Sequence, residues 1–282
     1  MAADCHIHMV LDGLDWQAAI ARHQPKPKDA YIRQVLSSYQ ALGYTYLRDG
    51  GDRWGVSKRA KELAPEYGIT YRTPLANLCK RGHYGAFIGE SYNSMAEYVR
   101  LVKRTRDSGG DFIKIMISGL MDFNQYGVLT EPGLSEDEIR ELIHIAHAEG
   151  MAVMAHANGA RTVEAAARAG VDSVEHGAYL DSDALAAMAE NGTVWVPTLS
   201  TIGNLRGTGR FSETAVEKIL ESALENLSGY KGLVAPGTDA GAWAVPHGVQ
   251  TEEKLLAQAG IGQDRLTDGT EKIKETFKKQ GE

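Results

Sequence analysis

Residues 151–177 read MAVMAHANGARTVEAAARAGVDSVEHG, and this stretch decides the fold. An apolar run from Ala152 to Ala157 holds His156. The segment Arg161 to Ala169 then carries apolar residues near a 3.6-residue period and closes on Gly170, and a second short run spans Ser173 to His176. Runs of this length suit buried strands, and the intervening period suits an amphipathic helix packed on them. A crossover helix brings the chain back to the end where the previous strand began, so the two strands are parallel.

Outward from this unit the same pattern recurs. Strands are expected over Ala3 to Met9, Thr45 to Asp49, Thr70 to Leu78, Phe112 to Ser118, Ala152 to Ala157, Ser173 to His176, Val194 to Leu199 and Leu233 to Thr238. Helices are expected over Asp29 to Leu42, Lys58 to Tyr67, Met95 to Arg106, Ser135 to Glu149, Arg161 to Ala169, Ser182 to Glu190 and Glu213 to Tyr230. Eight such units close into a (β/α)8 barrel more naturally than into an open sheet. A doubly wound sheet would want a glycine-rich phosphate loop after its first strand, and Met9-Val10-Leu11-Asp12 stands there instead. The polar, helix-prone tail from Thr251 to Glu282 reads as the last outer helix or a frayed end. No low-complexity linker divides the 282 residues, which are expected to form one barrel domain, 1–282.

With 43% hydrophobic and 24% charged residues the chain has the composition of an ordinary globular protein. Its net charge of -7 argues against nucleic acid or an anionic membrane as the main partner, because both demand a basic footprint. A small-molecule substrate fits better, and self-association as a homo-oligomer is left open. Cys5 and Cys79 each fall in an apolar run, which points to buried thiols in a reducing compartment. No apolar stretch reaches membrane-spanning length and no secretory leader pattern opens the chain, so a cytoplasmic location is expected.

Chemistry enters where polar residues occupy strand ends. His6 and His8 are two apart on a strand, so both point to one face and can share a metal ion; a hydrogen-bonded core pair would look the same. His156 and His176 sit at the ends of two further strands, and Asp239 follows the last. The C-terminal strand ends are where barrel enzymes carry their sites. Lys114 lies inside Phe112-Ile113-Lys114-Ile115-Met116-Ile117, where burial would lower its pKa. A neutral amine there can take up carbon dioxide as a carbamate and bridge two metals. Pairing with an acid, or snorkelling toward the loops, is the alternative.

Taken in order, the motifs Asp4-Cys5-His6-Ile7-His8, Asp111-Phe112-Ile113-Lys114-Ile115-Met116, Ala155-His156-Ala157, Val174-Glu175-His176-Gly177 and Gly237-Thr238-Asp239-Ala240-Gly241 resemble the amidohydrolase superfamily. The likeness is to its binuclear branch of prolidase-like and imidazolonepropionase-like enzymes. It implies that His6, His8 and Asp239 bind the more buried metal, that His156 and His176 bind the more exposed one, and that carboxylated Lys114 bridges them. The metals implied are two divalent ions, usually Zn2+. The activity implied is cleavage of an amide bond in an N-acyl amino acid, a dipeptide or a cyclic amide by a metal-bridging hydroxide, with Asp239 as general base and then acid. Lactone or ester hydrolysis on the same metals, and an inactive metal-binding barrel, are the other readings.

His83 and Tyr179 resemble substrate-contacting positions of prolidase-like relatives, and His247 sits on the same active face. Arg48 and Arg81 are candidates for a substrate carboxylate, with a surface ion pair as the alternative. His144 and His147 read as packing or surface residues of a helix. Most relatives carry an accessory β-sandwich beside the barrel. None is expected here, because the first strand begins by Ala3.

Overall fold

The computed structural model describes residues 2–278. Its strands are β1 (Ala2–Ile7), β2 (Tyr44–Asp49), β3 (Thr70–Arg72), β4 (Asn77–Lys80), β5 (Glu90–Tyr92), β6 (Ile113–Met116), β7 (Val153–Ala157), β8 (Ser173–His176) and β9 (Val194–Val196). They form two parallel sets, β1-β2-β3 and β5-β4-β6-β7-β8-β9.

Backbone hydrogen bonds join these sets into one ring. Segment 233–240 lies between β9 and β1: Trp195 N donates to Leu233 O, Ala235 N to Trp195 O, Cys5 N to Pro236 O, Asp239 N to His6 O and His8 N to Ala240 O. Across the ring, β3 runs into β4 through a bend at 73–76, where Asp111 N donates to Thr73 O and Asp52 N to Leu75 O. Counting β3 and β4 as one position and segment 233–240 as another, the wall has the eight positions of a (β/α)8 barrel.

The expected strand Thr70 to Leu78 is thus broken in two. Pro74 has no N–H to donate to a ladder, and Leu75 adopts a left-handed φ of 66°, which turns the chain. Strand β5 is additional to the eight expected; it pairs beside β4 within the excursion that follows the third strand. Among the described residues every named strand belongs to this ring or to β5.

The helices are α1 (Trp16–Arg22), α2 (Asp29–Ala41), α3 (Val56–Leu63), α4 (Met95–Asp107), α5 (Glu136–Ala148), α6 (Ala160–Arg168), α7 (Ser182–Glu190), α8 (Ser200–Gly203), α9 (Glu213–Gly229), α10 (Thr251–Gln258) and α11 (Gln263–Thr276). Short polar side chains start several of them: Ser94 Oγ accepts from Glu97 N at 3.3 Å, and Asp181 Oδ1 from Ala184 N at 2.9 Å. Gly170 ends the turn after α6 at φ 85°, a conformation that penalises a side chain. Each helix buries one stripe. Ile139, Leu142, Ile143 and Ala146 of α5, with Val163, Ala166 and Ala167 of α6, cover the outer face of β6, β7 and β8. Burial of each large aliphatic side chain stabilises by about 1.5–3 kcal/mol, which fixes the wall and leaves its upper rim to the loops. The tail expected as an outer helix forms α10 and α11, and its last residues, 279–282, lie outside the described chain.

Candidate metal centre

The wall directs His6, Lys114, His156 and His176 from β1, β6, β7 and β8, and brings His8 and Asp239 from just beyond two strand positions. All six line one cavity of about 530 Å3. Asp239 Oδ1 lies 3.5 Å from His6 Nε2 and 3.3 Å from His8 Nε2. Nitrogen and oxygen ligands at about 2.0–2.2 Å in a tetrahedral arrangement stand roughly 3.4 Å apart, so these donors are spaced for one cation. The chain of rings continues from His6 to His176 at 5.2 Å between centroids, and from His176 to His156 at 4.5 Å.

Several buried polar atoms here lack a partner. His6 Nε2, Lys114 Nζ and Asp239 Oδ1 make no hydrogen bond among the described residues. Leaving buried polar groups unmade costs about 1–3 kcal/mol each, and more when charged, so such a cluster marks a place built to receive something. The donor set fits divalent metal.

Protonation favours the same reading. Burial, with the Lys114 charge next in weight, holds His6 well below the usual histidine range and His156 at about 3. Burial and the neighbouring His156 and His6 do the same to His176. All three imidazoles are therefore neutral near pH 7, the form that ligates metal. Burial opposes ionisation of Asp239, but His6, His8 and Lys114 together outweigh it and keep the carboxyl below its ordinary value. Burial brings Lys114 down to about 8, against the pull of Glu175 and Asp239.

Surrounding groups set the orientation. His176 Nδ1 meets Thr198 Oγ1 at 2.7 Å and His156 Nε2 meets Gly119 O at 3.2 Å, leaving Nε2 of His176 and Nδ1 of His156 for a ligand. Asp4 accepts from Thr238 N at 2.9 Å and Thr238 Oγ1 at 2.6 Å, which pins the residue before Asp239 to β1. Below the histidines, Glu175 Oε2 lies 2.8 Å from His6 Nδ1, while its Oε1 receives Arg48 Nη2 at 2.8 Å and Ser173 Oγ at 2.5 Å. The backbones of His176 (φ 69°) and Asp239 (φ 57°) occupy the left-handed region, at a cost of about 1–3 kcal/mol each.

The three residues expected to contact substrate stand elsewhere. His83 is half-buried, with Nδ1 3.4 Å from Glu131, and it is the next residue, Tyr84, that lines the cavity and packs on His156 at 4.9 Å. Tyr179 packs on Tyr126 at 5.5 Å, outside the cavity wall. His247 is drawn behind the wall, Nε2 donating to Leu11 O at 3.0 Å and Nδ1 lying 3.3 Å from Tyr39 Oη. Arg48 is corrected from substrate ligand to buried partner of Glu175, because the barrel interior encloses it completely. Arg81 is exposed and outside the cavity.

Above the floor the wall is apolar and aromatic. Phe123, from the loop after β6, meets Phe211, from the segment between α8 and α9, at 5.4 Å; Ser212 N donates to Asn124 Oδ1 at 3.2 Å, tying the two segments together. Phe211 also packs on Trp243 at 5.9 Å, and Arg210 stacks over Trp243 with its guanidinium carbon 3.9 Å from a ring centroid.

A barrel with this histidine, lysine and aspartate constellation at its strand ends defines a class, and comparison with known proteins agrees. Residues 4–249 match the family model described as the amidohydrolase family, so the chain belongs to that family. An uncharacterized protein of Mycobacterium tuberculosis is 32% identical over 136 residues, covering 45% of this chain and 36% of that one. Ochratoxinase of Aspergillus niger is 25% identical over 278 residues, covering 83% and 55%. Those matches span about a third to just over half of the curated relatives' length. Among solved structures, a Xaa-Pro dipeptidase with methionine bound in its active site superimposes with a TM-score of 0.75 at 22% identity, over 98% of this chain and 74% of that one.

Proposed function

We propose that this chain is a metal-dependent hydrolase of amide bonds in small molecules such as N-acyl amino acids, dipeptides or cyclic amides. Family membership supports the class, and the relatives described as a Xaa-Pro dipeptidase and an ochratoxinase support the kind of substrate. The observation that carries the reading is the set of orphaned donors, His6 Nε2, Asp239 Oδ1 and Lys114 Nζ, at the floor of one cavity.

His6, His8 and Asp239 would hold one divalent ion, most simply Zn2+, and His156 and His176 a second, with Lys114, carboxylated, between them. When bound, the pair supplies Lewis acidity toward a carbonyl oxygen and lowers the pKa of water. The chain's own part is positioning and proton movement. Asp239, whose side chain keeps about 10% of its surface open, accepts the proton of the attacking water on its carboxylate and returns it to the departing amine. The apolar wall keeps bulk water from competing with that transfer. We read the barrel as one domain, working in the cytoplasm, where the free and buried Cys5 and Cys79 would stay reduced.

The test is metal content beside turnover. Purified protein should carry two equivalents of divalent metal and hydrolyse some member of a panel of N-acyl amino acids, dipeptides and cyclic amides. Lys114→Ala should lose at least one equivalent and the activity. If the variant keeps two tightly bound metals, the bridge is wrong; if lactones are cleaved in preference to every amide, the substrate class is wrong.

A further inference from the structure

At about 530 Å3 the cavity lies in the range that encloses a drug-sized ligand, roughly 300–1,000 Å3. Its sides are mostly rings and branched chains. Trp16, Phe87 and Tyr84 form a run, with centroids 5.7 and 5.9 Å apart, that ends against His156. Phe123, Phe211 and Trp243 form a second run. A small acyl group would leave most of this surface in contact with water. A ring-sized group would cover it.

One cation in this wall stands apart from the metal ligands. Arg210, itself exposed, lines the cavity and stacks on Trp243, with Phe211 beside it at 5.5 Å. Among the described residues its guanidinium has no carboxylate partner, whereas Arg206, four residues earlier, is paired with Glu217 at 2.7 Å. Stacking uses the flat face of a guanidinium and leaves its N–H edge free, the edge that takes a carboxylate in a two-point contact. Asp122 also lines the cavity, and its Oδ1 is engaged by Asn124 N at 2.8 Å.

We propose that the substrate combines a bulky, ring-sized apolar group with a free carboxylate, and that Arg210, stacked on Trp243 in the cavity wall, is the residue that receives the carboxylate. This rests on the amide-hydrolase reading above, since the amide must reach the floor while the acid engages Arg210. Arg210 is then a specificity residue: it sets how tightly the acid is held and leaves the bond-breaking groups untouched.

The experiment separates the two ideas. Binding of N-benzenesulfonyl-phenylalanine to the metal-loaded protein is compared with binding of N-benzenesulfonyl-phenylalaninol, which shares the rings and lacks the carboxylate. A carbonyl hydrolase leaves the sulfonamide of both intact. The acid should bind at least about tenfold more tightly than the alcohol, the preference should vanish in Arg210→Gln, and Arg210→Lys should restore part of it. With N-benzoyl-phenylalanine as substrate, Arg210→Gln should raise KM with kcat retained. If Arg210→Gln keeps the wild-type preference for the acid, or neither ligand binds, the inference is overturned. If binding follows Arg210 but no amide is cleaved, the pocket assignment stands and the hydrolase reading fails.

Discussion

Replacing Glu175 with Gln tests how far the floor of the barrel and the metal site are one structure. The wild-type carboxylate, with no exposure, faces Arg48 Nη2 at 2.8 Å, Ser173 Oγ at 2.5 Å and His6 Nδ1 at 2.8 Å. Arg48 is equally enclosed; its other hydrogen bonds go to Cys5 O at 2.7 Å and Ser173 Oγ at 2.9 Å, and it stacks over Phe277 at 4.4 Å. Gln keeps the shape and one acceptor but leaves the guanidinium without a counter-charge. Breaking a buried pair in this way costs about 3–5 kcal/mol, and the retained acceptor places Glu175→Gln near the lower figure. At about 2–4 °C of Tm per kcal/mol for a domain of this size, the metal-free variant should melt roughly 6–12 °C below wild type by calorimetry. Removal of the carboxylate behind His6 should also weaken metal binding by about 10–100-fold in chelator competition. In the double variant Arg48→Met with Glu175→Gln, the destabilisation should fall short of the sum of the singles by about 1 kcal/mol or more. A Glu175→Gln protein that melts within a degree or two of wild type and holds metal as tightly would refute the reasoning.

Two further outcomes follow from the packing. Glu252 of α10 is buried and accepts from Leu199 N, Ser200 N and Ser200 Oγ at 2.7–3.0 Å, while burial pushes its carboxyl up to about 8. A carboxyl held higher in the folded than in the unfolded chain stabilises fully below its unfolded value, near 4.5, and loses that contribution as pH rises through about 8. Urea midpoints should therefore show wild type losing ground to Glu252→Gln between pH 5 and pH 8, and an unchanged difference would reject this. A Cβ added at Gly237 would overlap Val196 Cγ1 and stand 3.0 Å from both Cβ and N of His6. Gly237→Ala should cost about 1–3 kcal/mol and displace Asp239 enough to weaken metal binding; a variant with wild-type stability and metal content would show that the wall gives way there.

The alternation of strand and helix was legible because crossover units repeat a period-2 and a period-3.6 pattern, as in residues 151–177. The third strand is not the continuous run that its apolar pattern suggests: Pro74 hints at a break, but the turn at Leu75 depends on hydrogen bonds from Asp52 and Asp111, which are distant in sequence. Of the floor, His6, His8, Lys114, His156, His176 and Asp239 stood out because charged or ligating side chains at strand ends contradict a plain core. Glu175 carries the same signal, a carboxylate inside an apolar strand, directly before His176. The wall was harder to read. His83, Tyr179 and His247 lie in loops, where one residue's shift in register exchanges the side that faces the cavity, as Tyr84 does beside His83. Nothing local in the sequence tells that Arg210 will stack on Trp243, which follows it by more than thirty positions.

The ring closes along a seam between the first strand and segment 233–240, so His6 and His8 from one end of the chain face Asp239 from near the other. A cation seated among those three would act as a rivet across that seam. It would bind once the first strand has paired with segment 233–240, the longest-range strand pairing among the described residues, and the unfolded chain offers no comparable seat. Occupancy then draws the equilibrium toward the closed ring by mass action, in proportion to the logarithm of free metal over its dissociation constant. Metal supply would then set how far the equilibrium favours the closed ring as well as whether its floor is armed.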